Sequence, residues 1–263
     1  MMICEQPCAE LISIKLLPRI YGELLSLMAR LNVHRPAGDG SGIGAKIRNV
    51  LIPPMGLAGT LRIPPGAHAF ILFAHGSGSS RFSPRNVAVA EALNARGFGT
   101  LLFDLLTSQE EGDRANVFNV ALLSERLIDA INWLNREFST KRLALGLFGA
   151  STGAAAALIA AAKLGDRIGA VVSRGGRPDL AGDEVLVQIK TPTLLIVGGV
   201  DHEVIVLNED AFARLKGPKD LRIVPGASHL FPETGALEAV IDHAGQWFTR
   251  YLVTSSSKAS SRR

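Results

Sequence analysis

Hydrophobic and polar residues alternate in two short segments that begin at position 46. The segments KIRNVLIP and GLAGTLRIP follow a two-residue period on either side of a turn around Pro53, Pro54 and Gly56, which predicts two paired strands. The next segment, HAFILFAHG at residues 68–76, is continuously apolar, as expected of a strand that is buried on both faces. These three segments predict the first three strands of the fold.

Five more apolar segments alternate with helical patterns up to residue 253. The predicted strands are GTLLFDLL, RLALGLFGA, IGAVVSRGG, TPTLLIVGGVD and DLRIVPGA. A helix is predicted before the first of these five strands and after each of them. Gly97 is expected to end the helix that precedes the first of the five. The sequence therefore predicts an α/β fold: about eight strands in one mostly parallel sheet, with helices on both faces.

The chain before residue 45 does not follow this pattern. Leu, Ile and Met recur at helical spacing between residues 10 and 33, and the segment HRPAGDGSGIG after them is typical of a linker. We therefore expect a helical extension and linker at 1–44, one α/β domain at 45–254, and a flexible basic tail at 255–263.

The net charge of +4 is concentrated at the two ends of the chain. The tail 255–263 contributes three positive charges and residues 1–50 contribute two, so residues 51–254 carry a net charge of −1. No basic stripe with interleaved aromatic residues is present, and the sequence predicts no nucleic-acid partner. No run of about 18 uncharged apolar residues occurs, so no membrane span is predicted either.

The cysteines and the N-terminal residues bear on the cellular compartment. Cys4 and Cys8 form a C-x3-C pair without a second half, which is a poor zinc site, and no disulfide framework exists. Glu5 and Glu10 occupy the place where a secretory signal would carry basic residues. We expect a cytoplasmic protein without a metal or cofactor, and its oligomeric state stays open.

A serine stands between two glycines where the fifth predicted strand meets an alanine-rich helix. In the pentapeptide from Gly149 to Gly153, Ser151 occupies the centre of a G-x-S-x-G motif, which in a strand–turn–helix context forms a nucleophile elbow. Large side chains at the two glycine positions would collide with neighbouring backbone. Because the motif also arises by chance in glycine-rich chains, it needs partners to indicate catalysis.

Suitable partners follow two later strands. A nucleophilic serine needs a histidine to take its proton and a carboxylate to orient that histidine. Asp201 and His229 follow the seventh and eighth predicted strands, in the serine–acid–histidine chain order of α/β-hydrolases. Asp104 and Asp179 are the competing acids, although Asp179 is also typical of a helix cap.

Donors for an oxyanion are predicted on both sides of the serine. The first is the backbone N–H of Thr152, and the second is that of Ser77 in the HGSGSS loop, with Gly76 or Gly78 as the next choices. Two arginines after the sixth strand, Arg174 and Arg177, are candidates for binding a substrate carboxylate. Salt bridges at the pocket rim are an equally good interpretation of them.

Six segments together carry a resemblance to a known family. FAHGSGSSRFSPRN, LLFDLLT, GLFGASTGAAAAL, VVSRGGRPDLAG, PTLLIVGGVD and IVPGASHLF resemble the dienelactone-hydrolase-like branch of the α/β-hydrolases over residues 45–252. They are most similar to its serine members, which some bacteria encode fused to a phosphoribosyltransferase domain. The resemblance implies Ser151 as nucleophile, Asp201 as acid and His229 as base, where dienelactone hydrolases proper use a cysteine nucleophile.

The sequence thus predicts a cofactor-free serine hydrolase of carboxylic esters. Only one short helix fits between the sixth and seventh strands, where lidded hydrolases insert a helical subdomain, so we expect an open site for short-chain esters or small lactones. Two alternatives stay open: acyl transfer or perhydrolysis by the same triad, and a ligand-binding module with low turnover.

Overall fold

The structure is a computed structural model that describes residues 45–138 and 144–253. The predicted extension 1–44, its two cysteines and the predicted tail 255–263 lie outside the described residues. The boundaries expected for these segments therefore stay predictions.

Within the described residues, eight strands form one sheet in the order β1-β2-β4-β3-β5-β6-β7-β8. Strand β2 pairs antiparallel with β1 and with β4, and the other five pairings are parallel. The eight predicted strands and the mostly parallel sheet are confirmed. The strands are β1 Lys46–Ile52, β2 Leu57–Ile63, β3 Ala69–Ala74, β4 Gly99–Phe103, β5 Ala144–Ala150, β6 Ala170–Arg174, β7 Thr193–Gly198 and β8 Lys219–Val224.

Helices follow most of the parallel strands and cover both faces of the sheet. Their bounds are α1 Pro84–Ala95, α2 Ser108–Glu111, α3 Arg114–Val117, α4 Val120–Glu137, α5 Thr152–Leu164, α6 Asp183–Leu186, α7 His202–Arg214 and α8 Ala236–Phe248. One apolar cluster joins α4 and α5 to one face, and a second joins α1 and α8 to the other. Apolar packing thus covers both faces of the sheet.

Local sequence signals account for where the helices start and stop. Gly97 adopts φ +86° after α1 and its N–H bonds the carbonyl of Asn94, so the predicted stop is confirmed. The short helices α2 and α3 were not predicted. A capping box marks the first of them, because Thr107 and Glu110 each accept the other's backbone N–H.

The segment between β6 and β7 determines how covered the sheet edge is. It contains a 3₁₀ turn at Pro178–Ala181 and the four-residue helix α6. No helical lid domain is inserted between these strands, as the sequence predicted. Among the described residues, no helix has the length and apolar character needed to cross a bilayer.

Candidate active site

Ser151 lies at a sharp backbone corner between β5 and α5. It adopts φ +51° and ψ −123°, a region that costs a non-glycine residue about 1–3 kcal/mol. Three backbone hydrogen bonds stabilise the corner: Ser151 N–H donates to the Arg174 carbonyl at 3.2 Å, and the Ser151 carbonyl accepts from the N–H groups of Ala154 and Arg177, both at 3.1 Å. The corner is therefore fixed by the next strand as well as by its own helix.

The two glycines of the motif are required by close backbone contacts. A Cβ atom at Gly149 would lie 2.4 Å from the Cα of Ala154, and one at Gly153 would lie 2.2 Å from the carbonyl oxygen of Ala74. Real Cβ atoms do not approach backbone that closely. The prediction that larger side chains at these two positions would collide with backbone is confirmed.

Asp201 and His229 meet at the same edge of the sheet. Asp201 follows the β7 end and His229 follows the β8 end, and Nδ1 of His229 lies 2.7 Å from Oδ2 of Asp201. Because a carboxylate only accepts, the imidazole hydrogen belongs on Nδ1, which leaves Nε2 as an acceptor. The Asp201 side chain is 16% exposed and that of His229 is 37% exposed, so the imidazole is open to solvent on one side.

His229 approaches the serine corner through Gly175. This glycine follows Arg174, whose carbonyl holds the Ser151 N–H, and a Cβ atom at Gly175 would lie 3.6 Å from Cε1 of His229. Ser151 Oγ makes no hydrogen bond to His229 among the described residues. Bonds of this kind are often long before substrate binds and shorten in the complex.

A short turn presents His229. The Phe231 N–H donates to the Ser228 carbonyl at 3.1 Å across the turn, and the Ser228 N–H donates to the Glu233 carboxylate at 3.1 Å. Hydrogen bonding with Ser228 lowers the pKa of Glu233 below its usual range. Glu233 was not predicted from the sequence, because nothing in its local pattern separates it from an ordinary surface glutamate.

Both competing acids are bound to arginines. Asp104 accepts the backbone N–H of Arg81 at 2.9 Å and forms an ion pair with its guanidinium. Asp179 accepts two hydrogen bonds from Arg177, at 2.8 and 2.7 Å. A substrate carboxylate would have to compete with Asp179 for Arg177, and this geometry matches the salt-bridge interpretation.

Arg174 is buried, with 5% of its surface exposed. It donates to Oδ1 of Asn86 at 3.1 Å, and its guanidinium lies 5.9 Å from the ring centre of Phe231. Burial, followed by the charge of Arg85, lowers the pKa of Arg174 to about 10, so it remains charged at neutral pH. Its Nε has no hydrogen-bond partner among the described residues. Arg174 thus packs against the residue that closes the His229 turn.

The predicted oxyanion donors flank the serine. Thr152 begins α5, so its backbone N–H has no acceptor within the helix. Gly76 packs directly on the corner, because a Cβ atom there would lie 3.0 Å from the Cβ of Ser151. The Ser77 N–H donates to Oγ1 of Thr152 at 2.9 Å, a contact that the sequence did not predict. Gly78 is exposed at φ +68° in the same loop.

The chain is similar to a solved dienelactone hydrolase. The protein from Anabaena variabilis is 52% identical, and the match covers 79% of this chain and 98% of that one with a TM-score of 0.74. The chain belongs to the dienelactone-hydrolase-like α/β-hydrolases. The identity holds over nearly the whole length of that solved protein, and the dienelactone-hydrolase-like chain shares its fold.

Other similarities concern a longer relative and the fold. A Mycobacterium tuberculosis protein named as a phosphoribosyl transferase is 54% identical over 203 residues, which are 77% of this chain and 46% of that protein. The chain thus spans about half the length of such relatives. Est1E from Butyrivibrio proteoclasticus, solved with ferulic acid, is 16% identical to this chain. The match covers 78% of this chain and 99% of that one with a TM-score of 0.65, and at this identity it shows similarity of fold alone. No family model matches the chain.

Proposed function

We propose that this chain is a serine hydrolase that cleaves carboxylic esters through an acyl-enzyme. The observation that carries the proposal is the 2.7 Å pair between His229 Nδ1 and Asp201 Oδ2, formed at the sheet edge where Ser151 occupies its strained corner. An acid that orients a histidine near a partly buried serine is the arrangement that activates a hydroxyl nucleophile.

In the proposed reaction, Ser151 Oγ attacks the ester carbonyl while Nε2 of His229 accepts the hydroxyl proton. The resulting imidazolium is stabilised by the Asp201 carboxylate, and the backbone N–H groups of Thr152 and Ser77 stabilise the oxyanion. The imidazolium then protonates the leaving alcohol as the C–O bond breaks. Water attacks the acyl-enzyme with His229 again as base, which releases the acid and restores Ser151.

The substrates we propose are esters of short acids or small lactones. The short elements between β6 and β7 support this, because they provide no helical cover over the strand ends. An open site of this kind buries little of a long acyl chain.

Hydrolysis of p-nitrophenyl acetate and butyrate by the wild type and by Ser151→Ala tests the proposal. We expect saturable turnover by the wild type and a loss of at least about 10³-fold in kcat in the variant, with unchanged thermal unfolding. A matched control is Ser83→Ala, which removes another serine hydroxyl, at the N-cap of α1, where it makes no capping hydrogen bond. Equal rates in the wild type and in Ser151→Ala would reject the proposal and favour the ligand-binding interpretation.

A further inference from the structure

The peptide group that joins Gly76 to Ser77 is held at both of its polar ends. At the carbonyl end, Nδ1 of His75 lies 3.0 Å from the Gly76 oxygen. At the amide end, the Ser77 N–H donates to Oγ1 of Thr152 at 2.9 Å. Ser77 and Thr152 are 75 residues apart in the sequence. Their hydrogen bond therefore connects the loop after β3 with the start of α5.

The tautomer of His75 makes it a donor to Gly76. Its Nε2 accepts the backbone N–H of Leu105 at 3.2 Å, so the imidazole hydrogen belongs on Nδ1 and points to the Gly76 carbonyl. Burial lowers the pKa of His75 below its ordinary value, which keeps this neutral form. The same Gly76 carbonyl also accepts the Ser79 N–H at 3.2 Å, which closes a turn. Gly76 is therefore fixed by two donors.

This peptide lies against the serine corner. A Cβ atom at Gly76 would stand 3.0 Å from the Cβ of Ser151 and 3.1 Å from the Ala150 carbonyl oxygen, so no side chain separates the two backbones. Thr152 is 5% exposed, which removes its hydroxyl from competition with bulk water. The orientation of the Ser77 N–H is thus determined by one buried hydroxyl.

We propose that the Thr152 hydroxyl is a positioning group that holds the Ser77 N–H as the second donor of the oxyanion hole. The inference rests on the proposed function and extends it: Thr152 acts directly through its backbone N–H and indirectly through its side chain. The single amide hydrogen of Ser77 points to Oγ1 of Thr152, and a developing oxyanion is a stronger acceptor than a neutral hydroxyl, so we expect the two acceptors to share this hydrogen as the charge forms. His75 anchors the other end of the same peptide.

The matched pair Thr152→Val and Thr152→Ser tests the hydroxyl. Valine keeps the shape and removes the acceptor, whereas serine keeps the acceptor and removes the methyl group. For p-nitrophenyl butyrate we expect Thr152→Val to lower kcat by about 10-fold or more with KM within about two-fold, and Thr152→Ser to retain most of the activity. Equal losses in both variants, or a Thr152→Val kcat at or above that of the wild type, would overturn the proposal.

Amide hydrogen exchange of Ser77, read by NMR on ¹⁵N-labelled protein, gives a second measurement that needs no turnover. We expect a protected Ser77 N–H in the wild type and in Thr152→Ser, and faster exchange in Thr152→Val. Equal exchange in the wild type and the valine variant would reject the positioning contact whatever the activity. If the exchange rates follow this pattern but the wild type hydrolyses no ester, the contact between Ser77 and Thr152 is supported and the proposed function is rejected.

Discussion

Ser151 keeps a strained backbone because its neighbours leave no alternative. Its N–H and carbonyl are bound to β6, to its own helix and to the segment after β6. The glycines two positions away on either side lie in contact with backbone atoms. Together these contacts offset the conformational cost and fix Ser151 at the carboxyl end of β5.

Replacing a glycine of the corner should therefore destabilise the fold. In Gly149→Ala the new Cβ would meet the Cα of Ala154 at 2.4 Å, and we expect the free energy of unfolding to fall by about 2 kcal/mol or more. Gly112→Ala is the matched control, because Gly112 has φ −63° and a Cβ there would come no closer than 3.3 Å to the Gln109 oxygen. Urea unfolding measures both. Equal losses in the two variants would contradict the steric account.

The buried imidazole of His75 should make stability depend on pH. Burial lowers its pKa below 6.5, and the nearby charges of Asp104 and Glu111 offset this only in part. The unfolded chain then takes up the proton first as the pH falls. His75 therefore has no effect on the free energy of unfolding well above pH 6.5. That free energy falls as the pH falls through 6.5, and the decrease ends once the pH is below the folded-state pKa of His75.

His75→Gln removes this titration. We expect the unfolding free energy of the wild type to fall more than that of the variant between about pH 7.5 and about pH 5, measured by urea unfolding of both proteins. The difference between the two proteins isolates His75 from the other titrating groups. A wild-type loss no greater than that of His75→Gln would contradict a buried neutral imidazole.

At the scale of the elements, the carboxyl ends of β5, β7 and β8 supply Ser151, Asp201 and His229. Among the candidate acids, Asp201 is the carboxylate bound to His229. We expect Asp201→Asn to lower kcat by about 10⁴-fold, since an amide can favour the wrong imidazole tautomer. Asp179→Asn, which breaks only the Arg177 pair, should stay within about 10-fold of the wild type. Ester hydrolysis by purified variants tests this ranking, and an Asp179→Asn loss as large as that of Asp201→Asn would reverse it.

The strands, and the residues at their ends, could be predicted from the sequence because each depends on the local pattern of hydrophobic and polar residues. Apolar runs such as residues 69–74 predicted buried strands. Because parallel strands bring their carboxyl ends to one edge, the three candidate catalytic residues could be selected from the sequence. The short helix after Thr107 was missed although its capping box is visible in the sequence. Pattern alone did not separate it from a loop.

Side-chain partners were harder to predict because they join distant parts of the chain. The contact between Ser77 and Thr152, and that between Arg174 and Asn86, link residues whose local sequences carry no sign of each other. The pairing of Arg177 with Asp179 is local, yet sequence cannot tell a rim ion pair from a substrate ligand. Such contacts depend on how the loops pack after the sheet has formed.

For the whole molecule, we expect the segment between β6 and β7 to limit which substrates bind. The helical elements between these strands are a 3₁₀ turn and a four-residue helix, so we expect a long acyl chain to lie in solvent. Across p-nitrophenyl esters from acetate to palmitate, we expect kcat/KM to be highest for acyl groups shorter than about eight carbons and to fall beyond them. A preference for longer acyl groups would contradict an open site.

The measurement that tests the central claim most directly is covalent labelling by a p-nitrophenyl alkylphosphonate, followed by intact mass and peptide mapping. The phosphonate requires an activated serine and no knowledge of the natural ester. We predict one adduct per chain, located on Ser151, with matching release of p-nitrophenolate and no adduct in Ser151→Ala. A wild type that takes no label, or a Ser151→Ala variant labelled to the same extent, would contradict Ser151 as the nucleophile.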